Sequence, residues 1–306
     1  MNKFADMSLL FVTFIWGTTF VLVQNAINSL EPFSFNGIRF LIAALLLIFW
    51  LIIFERKQLK QLDKKIILSG VFIGFWLFVG YVTQTIGLLY TTSSKAGFIT
   101  GLNVIFVPLL SMLLLKQTLS KNVIVGVAIA TIGLFLLTTT DISAFNIGDG
   151  FVFICAIAFA MQIIFTGKFS GKYPTLLLTV IQISTVSILS IVSSFLFEDW
   201  KKMFQTNIIL SKEVFIAILI TAIFATALAF LLQTNFQKYT TTTRVALIFA
   251  MEPVFAAITG YFWAHDRLTY SAITGCILIF AGMIFAEVPV RKITWLRKSN
   301  IKNNSL

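Results

Sequence analysis

Charged side chains are scarce in this sequence. Only 11% of its 306 residues are Asp, Glu, Lys or Arg, whereas 58% are hydrophobic and the mean hydropathy is +0.95. Soluble globular domains carry about 25% charged residues. The composition therefore excludes an ordinary soluble domain and indicates a chain whose main solvent is lipid.

Residues that build metal or nucleophile sites are almost missing. The two cysteines, Cys155 and Cys276, lie inside long apolar runs, and the one histidine, His265, has no histidine partner. Disulfide frameworks, zinc clusters and histidine-based triads need more of these residues than the chain contains. We therefore expect no metal site and neither a hydrolase nor a redox enzyme.

Acidic residues are also few, and the 23 Lys and Arg residues outnumber the 12 Asp and Glu residues to give a net charge of +11. The basic residues are spread over short loops, without a patch interleaved with exposed aromatic residues, so they do not predict a nucleic-acid partner. Basic loops instead orient membrane proteins.

Long apolar runs dominate what is present. A membrane-spanning helix needs roughly 20 mainly apolar residues, because the hydrocarbon core is about 30 Å thick and a helix rises about 1.5 Å per residue. The sequence therefore predicts an all-α polytopic membrane protein with ten transmembrane helices. The predicted spans cover residues 7–26, 33–54, 66–89, 94–115, 121–139, 147–168, 174–197, 213–235, 243–263 and 269–288.

The loop charges predict the orientation of these spans. With the amino terminus in the cytoplasm, 17 of the 23 basic residues lie on the cytoplasmic side, as the positive-inside rule requires. We therefore expect both termini to be cytoplasmic. Two interpretations of the basic tail stay open, namely contact with anionic lipid headgroups and simple solvation.

An internal repeat divides the chain into two halves of five spans. Because five is an odd number, the two copies must be inverted relative to each other, which is a common plan of secondary transporters. We predict a first repeat over residues 1–140, a second over 141–290 and a cytoplasmic tail over 291–306. The shared landmarks are Leu119, Gly126 and Gly133 with Leu268, Gly275 and Gly282, 149 positions later, and Asp6 with Asp149, Pro32 with Pro174, and Arg39 with Gln182.

Two prolines lie inside predicted spans, Pro108 in the fourth and Pro253 in the ninth. A proline inside a helix removes a backbone hydrogen bond and disturbs the preceding turn. We expect both to act as helix-breaking residues that bend or open their spans. A packing kink without a ligand role is the alternative.

Several stretches of the chain resemble the EamA-type transporters of the drug/metabolite transporter superfamily, and the similarity covers nearly the whole sequence. The resemblance implies a ten-helix protein that moves small metabolites, often amino acids and often outward, across a bacterial plasma membrane. It also implies no bound cofactor and no ATP hydrolysis, in agreement with the absence of a GxxxxGK[ST] loop. The stretches are Phe14–Phe20 (FIWGTTF), Arg39-Phe40, Lys95–Pro108 (KAGFITGLNVIFVP) and Glu252–Ala257 (EPVFAA).

Only two ionisable side chains lie well inside the spans, Arg39 in the second and Glu252 in the ninth. Such groups are costly at that depth and usually face a cavity or a partner. Asn103, 149 positions before Glu252, lies at the equivalent depth. We predict a substrate-binding or coupling site around these three residues near the bilayer midplane. The aromatic and amide residues that complete it are Trp16, Trp76, Tyr81, Gln84 and Gln162.

For Arg39 and Glu252 a structural alternative stays open, in which an ion pair or a backbone-bonded charge fixes the helix register. Other amides lie near span ends, where we expect interface solvation to explain them without a site. These are Gln24, Asn25, Gln233 and Asn235.

The leading hypothesis is a secondary transporter that works by alternating access around the midplane site. Glu252 would couple transport or contact the substrate, and Arg39 would complement its charge or anchor a substrate carboxylate. The expected partners are a small-molecule substrate, membrane lipid and a coupling proton. A channel or a non-transporting structural membrane subunit is the alternative, whereas a lipid-modifying enzyme would need a cluster of polar catalytic residues near one interface.

Overall fold

The computed structural model describes residues 3–116, 118–138, 146–259, 261–262 and 269–287. Within these ranges the backbone is helical and contains no β-strand. The predicted boundary at residue 140 and the basic tail lie outside them. The helices are α1 (Lys3–Ile27), α2 (Pro32–Phe54), α3 (Lys64–Gly87), α4 (Ser93–Gly101), α5 (Asn103–Leu115), α6 (Lys121–Thr138), α7 (Ile147–Ser170), α8 (Thr175–Phe197), α9 (Thr206–Ile209), α10 (Lys212–Ile220), α11 (Ala229–Gln237), α12 (Thr242–Phe249), α13 (Glu252–Thr259) and α14 (Tyr270–Glu287).

Shorter helical pieces join some of these helices. Six residues, Arg56–Gln61, form a 3₁₀ turn between α2 and α3, and Trp200–Phe204 form another after α8. A π-helical segment, Thr221–Leu228, lies between α10 and α11. Together, α10, the π-helical segment and α11 form one continuous helical run.

Eight helical segments of the described chain are long and apolar enough to cross a membrane. Large apolar side chains cover their outer surface, for example Leu113, which is 76% exposed, and Phe197, which is 74% exposed. The protein is therefore an all-α polytopic membrane protein, as its composition predicts. Two further apolar helices, α6 and α14, have 18 residues each, so the total of ten transmembrane helices stays a prediction. The eight segments are α1, α2, α3, α4–α5, α7, α8, α10–α11 and α12–α13.

Helices α6 and α14 pack against each other through four glycines, which we call the glycine seam (Gly126, Gly133, Gly275 and Gly282). A Cβ atom built on Gly133 would lie 2.7 Å from the carbonyl oxygen of Gly275, and one on Gly126 would lie 2.6 Å from that of Gly282. Only glycine allows backbones to come this close. Because Gly126 faces Gly282 while Gly133 faces Gly275, the two helices run antiparallel.

Adding a methyl group to the glycine seam should destabilise the protein. We expect Gly133→Ala to lower the apparent melting temperature in detergent, because overpacking against backbone costs roughly 1–3 kcal/mol. The matched control is Gly150→Ala in α7, where a Cβ atom would meet nothing within 4 Å and alanine favours the helix. Equal melting temperatures of the two variants in differential scanning fluorimetry would show that the seam is not tightly packed.

At one end of the bundle, Glu198 connects the end of α8 to the start of α2. Its carboxylate accepts hydrogen bonds from the backbone N–H groups of Phe33 (2.7 Å) and Ser34 (2.8 Å). Both N–H groups lie in the first turn of α2, where they have no helical partner of their own. Burial raises the pKa of Glu198 above its usual range, although these hydrogen bonds oppose the shift. The contact fixes one half of the chain to the other.

Candidate substrate site

A cavity of about 50 Å³ lies among α1, α2, α3, α7 and the interrupted helical segments. This volume holds a few water molecules. Seven of the eight predicted binding residues line it, so the structure brings together side chains that lie far apart in the sequence. The seven are Glu252, Arg39, Asn103, Trp16, Tyr81, Gln84 and Gln162.

Two interrupted helices bring Asn103 and Glu252 to the cavity. The first is interrupted between α4 and α5, and Asn103 begins α5; the second is interrupted between α12 and α13, and Glu252 begins α13. Each residue is therefore the first of its half-helix, and the two lie 149 positions apart. The buried amide oxygen of Asn103 accepts no hydrogen bond from the described residues, and the Glu252 carboxylate likewise has no partner among them.

The two interruptions have different causes. Before Glu252 the cause is Pro253, because proline has no backbone N–H and leaves the carbonyl of Phe249 without its helical partner. In the other segment α5 runs through Pro108 without interruption. The opening lies at Leu102, six residues before Pro108 rather than at it. There α4 ends at Gly101, and it contains two glycines, each of which weakens a helix by about 1 kcal/mol relative to alanine.

Glycines in neighbouring helices let the half-helices approach. A Cβ atom on Gly17 of α1 would lie 2.6 Å from the carbonyl oxygen of Glu252, and one on Gly101 would lie 3.6 Å from Cγ of Pro253. A larger residue at position 17 would push the start of α13 away from α1. The glycine of the FIWGTTF stretch therefore positions Glu252 at the cavity.

Arg39 reaches the cavity from α2 and is only 3% exposed. Its Nε donates a hydrogen bond to Oγ1 of Thr226 (2.7 Å), its Nη2 donates to the carbonyl oxygen of Ala225 (3.4 Å), and its Cζ lies 4.8 Å from the ring centre of Tyr81. No described carboxylate lies within 4.0 Å of the guanidinium. Arg39 and Glu252 thus line one cavity without forming an ion pair with each other.

Both partners of Arg39 belong to the π-helical segment Thr221–Leu228. The carbonyl oxygen of Ala225 also accepts a hydrogen bond from Nε1 of Trp16 (2.9 Å). A π-helix shifts backbone hydrogen bonds by one residue and is often found at functional sites. One backbone carbonyl here positions two cavity residues, and neither proline nor glycine in this segment signals it in the sequence.

Aromatic rings form the remaining wall of the cavity. Trp16 contacts Phe230 and Phe249, with ring centres 5.4 Å and 5.0 Å apart, and Tyr81 packs against Phe159 at 5.2 Å. The sequence singles out none of these three phenylalanines, because each is one of 33. Phe230 lies 149 residues after Tyr81, so the repeat is the one signal that points to it.

Trp76 is the predicted site residue that does not line the cavity. Its ring packs against Phe72 and Phe75, and its buried indole N–H has no partner among the described residues. Successive residues of a helix are rotated by about 100° about its axis. Trp76 therefore lies on a different face of α3 from its neighbour Leu77, which lines the cavity. The face that lines the cavity is formed by Leu77, Tyr81, Gln84 and Leu88.

Hydrogen-bonded amides support the cavity on two sides. Nε2 of Gln84 donates to Oγ1 of Thr100 (3.2 Å), and Oε1 of Gln162 accepts from Nε2 of Gln233 (3.1 Å). Gln233 is fully buried, so its interpretation as a solvated interface residue is wrong. Gln233 and Gln84 lie 149 positions apart, as do Asn103 and Glu252.

Acidic and sulfur-containing side chains do not cluster elsewhere in the described ranges. No group of three or more His, Cys, Asp or Glu residues is placed there to hold a metal ion. The polar groups that line the cavity are one carboxylate, one guanidinium, three amides and the hydroxyls of Thr19, Thr85 and Tyr81. Helices interrupted midway around such a cavity are the architecture of membrane transport proteins.

The model of the EamA-like transporter family matches residues 3–139 and again residues 146–287. The chain belongs to this family. The resemblance seen in the sequence is thereby confirmed, and the protein is a multi-pass membrane protein of a transporter family.

Similar proteins cover almost the whole chain. An Archaeoglobus fulgidus protein described as an uncharacterized transporter is 36% identical over 287 residues, which cover 94% of this chain and 87% of that protein. A Salmonella typhimurium protein described as a probable amino-acid metabolite efflux pump is 24% identical over 282 residues, covering 90% and 91%. A solved structure described only as the crystal structure of a protein has a TM-score of 0.76 at 17% identity, covering 94% and 97%, and this similarity shows the fold alone.

Proposed function

We propose that the chain is a secondary transporter that moves a small metabolite across a bacterial plasma membrane by alternating access. The observation that carries the proposal is the central cavity, where Glu252 and Arg39 are present without an ion pair between them. Ionisable groups at membrane depth are costly. A ligand that brings the opposite charge to each group offsets that cost.

An amino acid or a related zwitterion fits this arrangement of charges. Its ammonium group would pair with Glu252 and with the unpartnered amide oxygen of Asn103. Its carboxylate would meet the planar donor fork of Arg39, which matches carboxylate geometry. The efflux-pump description of the Salmonella typhimurium relative supports this substrate class and outward transport.

We also infer that the halves 1–140 and 141–290 are inverted repeats. The antiparallel glycine seam and the two half-helices that begin at Asn103 and Glu252 support a two-fold axis in the membrane plane. Rocking of one half against the other would expose the cavity to each side in turn. The distribution of basic loops favours cytoplasmic termini.

Ligand binding and flux together test the proposed function. Purified protein should gain apparent stability with at least one member of a panel of amino acids and related metabolites, by about 2.7 kcal/mol at a concentration of 100 times Kd. The same compound should show saturable uptake and counterflow in proteoliposomes. Flux that rises linearly with concentration and shows no counterflow would instead indicate a channel, and no flux of a stabilising compound would indicate a non-transporting subunit.

A further inference from the structure

Two ion pairs occupy equivalent positions in the two halves of the chain. Nζ of Lys95 lies 2.6 Å from Oδ2 of Asp149, and Nη2 of Arg244 lies 2.7 Å from Oδ2 of Asp6. The two basic residues are 149 positions apart and lie in the first turns of α4 and α12. The two aspartates lie in the first turns of α7 and α1. Each pair therefore joins an interrupted helix of one half to the first helix of the other half.

The two pairs lie at opposite ends of the bundle. Asp6 is near the start of α1, whereas Gln24 near the end of α1 accepts a hydrogen bond from Ser93, the first residue of α4. Gln24 lies 18 positions after Asp6, which corresponds to roughly 27 Å at about 1.5 Å per residue. That length is close to the thickness of the hydrocarbon core. We call the two ends the Lys95 face and the Arg244 face.

Each pair adjoins a vestibule on its own face. The vestibule on the Lys95 face has a volume of about 440 Å³ and is lined by Thr91 and Asn146, which both donate hydrogen bonds to Asp149. Leu88 lines both this vestibule and the central cavity. On the Arg244 face, Asp6 and Arg244 themselves line a vestibule of about 430 Å³.

Burial distinguishes these pairs from an ordinary surface ion pair. The Asp149 side chain is fully buried, and the side chains of Lys95, Arg244 and Asp6 are 15–19% exposed. A third ion pair of similar length, between Lys202 and Glu31, is more open, because its side chains are 36% and 32% exposed. Exposed pairs contribute little. Removing one partner of a buried pair is far more costly, because it leaves an uncompensated charge.

We propose that the two ion pairs are the gates of the central site, with Lys95–Asp149 closing one face and Asp6–Arg244 closing the other. This inference rests on the proposed alternating-access function. Because each pair connects the two halves, opening either face must separate the pair on that face while the other pair holds. The structure, in which both pairs are formed, is the arrangement closed on both faces.

Cysteine accessibility tests the gates without knowledge of the substrate. The reporter is Leu88→Cys in full-length protein that also carries Cys155→Ala and Cys276→Ala, and the probe is a membrane-impermeant maleimide added to the Lys95 face of oriented membrane vesicles. Asp149→Asn should open that face and raise the labelling rate about tenfold, equivalent to about 1.4 kcal/mol. Arg244→Gln should open the opposite face and lower the rate.

The matched control is Glu31→Gln, which removes the more exposed pair with Lys202 and should leave labelling unchanged. Lys95→Gln provides a second route to the same opening if Asp149→Asn does not fold. The gate proposal would be contradicted if Asp149→Asn and Arg244→Gln changed the labelling rate in the same direction, or if neither changed it. If labelling behaved in that way while counterflow stayed intact, the gate proposal would be wrong but the proposed transport function would still hold.

Discussion

Glu252→Gln is expected to abolish the pH dependence of transport while the protein stays folded and inserted. The Glu252 carboxylate lines the central cavity at the start of α13 and has no partner among the described residues. A carboxyl group there can take up and release a proton in each cycle, whereas a glutamine amide cannot. In proteoliposomes, the variant should exchange substrate with a raised KM, because the amide cannot form an ion pair with the substrate ammonium group, and it should no longer accumulate substrate in response to an imposed pH gradient.

The control for this experiment is Glu213→Gln, an exposed acidic residue in the first turn of α10. It makes the same chemical change outside the cavity and should leave the pH profile of transport unchanged. Normal transport by Glu252→Gln with an unchanged pH profile would make Glu252 a structural residue. The assignment of the coupling site would then fail.

Arg39→Lys is expected to weaken substrate binding about 10- to 100-fold, because a hydrogen bond to a charged group contributes about 1.5–3 kcal/mol and 1.4 kcal/mol corresponds to tenfold. Lysine keeps the positive charge but loses the planar fork that holds a carboxylate with two hydrogen bonds. The measurement is the KM for counterflow, compared with the Kd obtained from ligand-induced thermal stabilisation. Both constants should rise together.

A second variant separates substrate binding from a purely structural role of Arg39. Thr226→Val keeps the side-chain volume but removes the hydroxyl that accepts a hydrogen bond from Nε of Arg39. We expect it to lower the melting temperature and to change KM less than Arg39→Lys does. If both variants were destabilised and both kept the wild-type KM, Arg39 would only fix the packing of α2 against the π-helical segment.

Apolar runs predict most of the helices because lipid leaves a spanning chain few alternatives. Every backbone N–H and C=O group in the hydrocarbon must be bonded within the protein, which favours continuous helices. The second predicted span, 33–54, agrees with α2 (Pro32–Phe54), and the seventh, 174–197, agrees with α8 (Thr175–Phe197). Hydropathy does not reveal where such a helix is interrupted, so the sequence does not predict the separation of α4 from α5 at Leu102.

The charged cavity residues could be identified from the sequence because charge is rare and costly inside a span. Arg39 and Glu252 stand out by that argument alone, and the 149-residue offset adds Asn103. The π-helical segment could not be identified in this way. Its residues, TAIFATAL, carry no local signal, and its carbonyl at Ala225 is recognisable only once Arg39 and Trp16 bond to it. Aromatic identity also does not reveal which helix face a residue occupies, so the sequence includes Trp76 among the predicted site residues although it does not line the cavity.

The glycine seam limits how the two halves can move. Neither α6 nor α14, over the residues that the structure describes, lines the central cavity, and their backbones are in direct contact. Helices this close cannot slide along each other without steric clashes, so in the proposed alternating-access cycle we expect this pair to move as one rigid unit. In that proposed cycle, a loosened contact between α6 and α14 would let both faces open at once. Substrate would then leak down its own gradient through a protein whose binding residues are all intact.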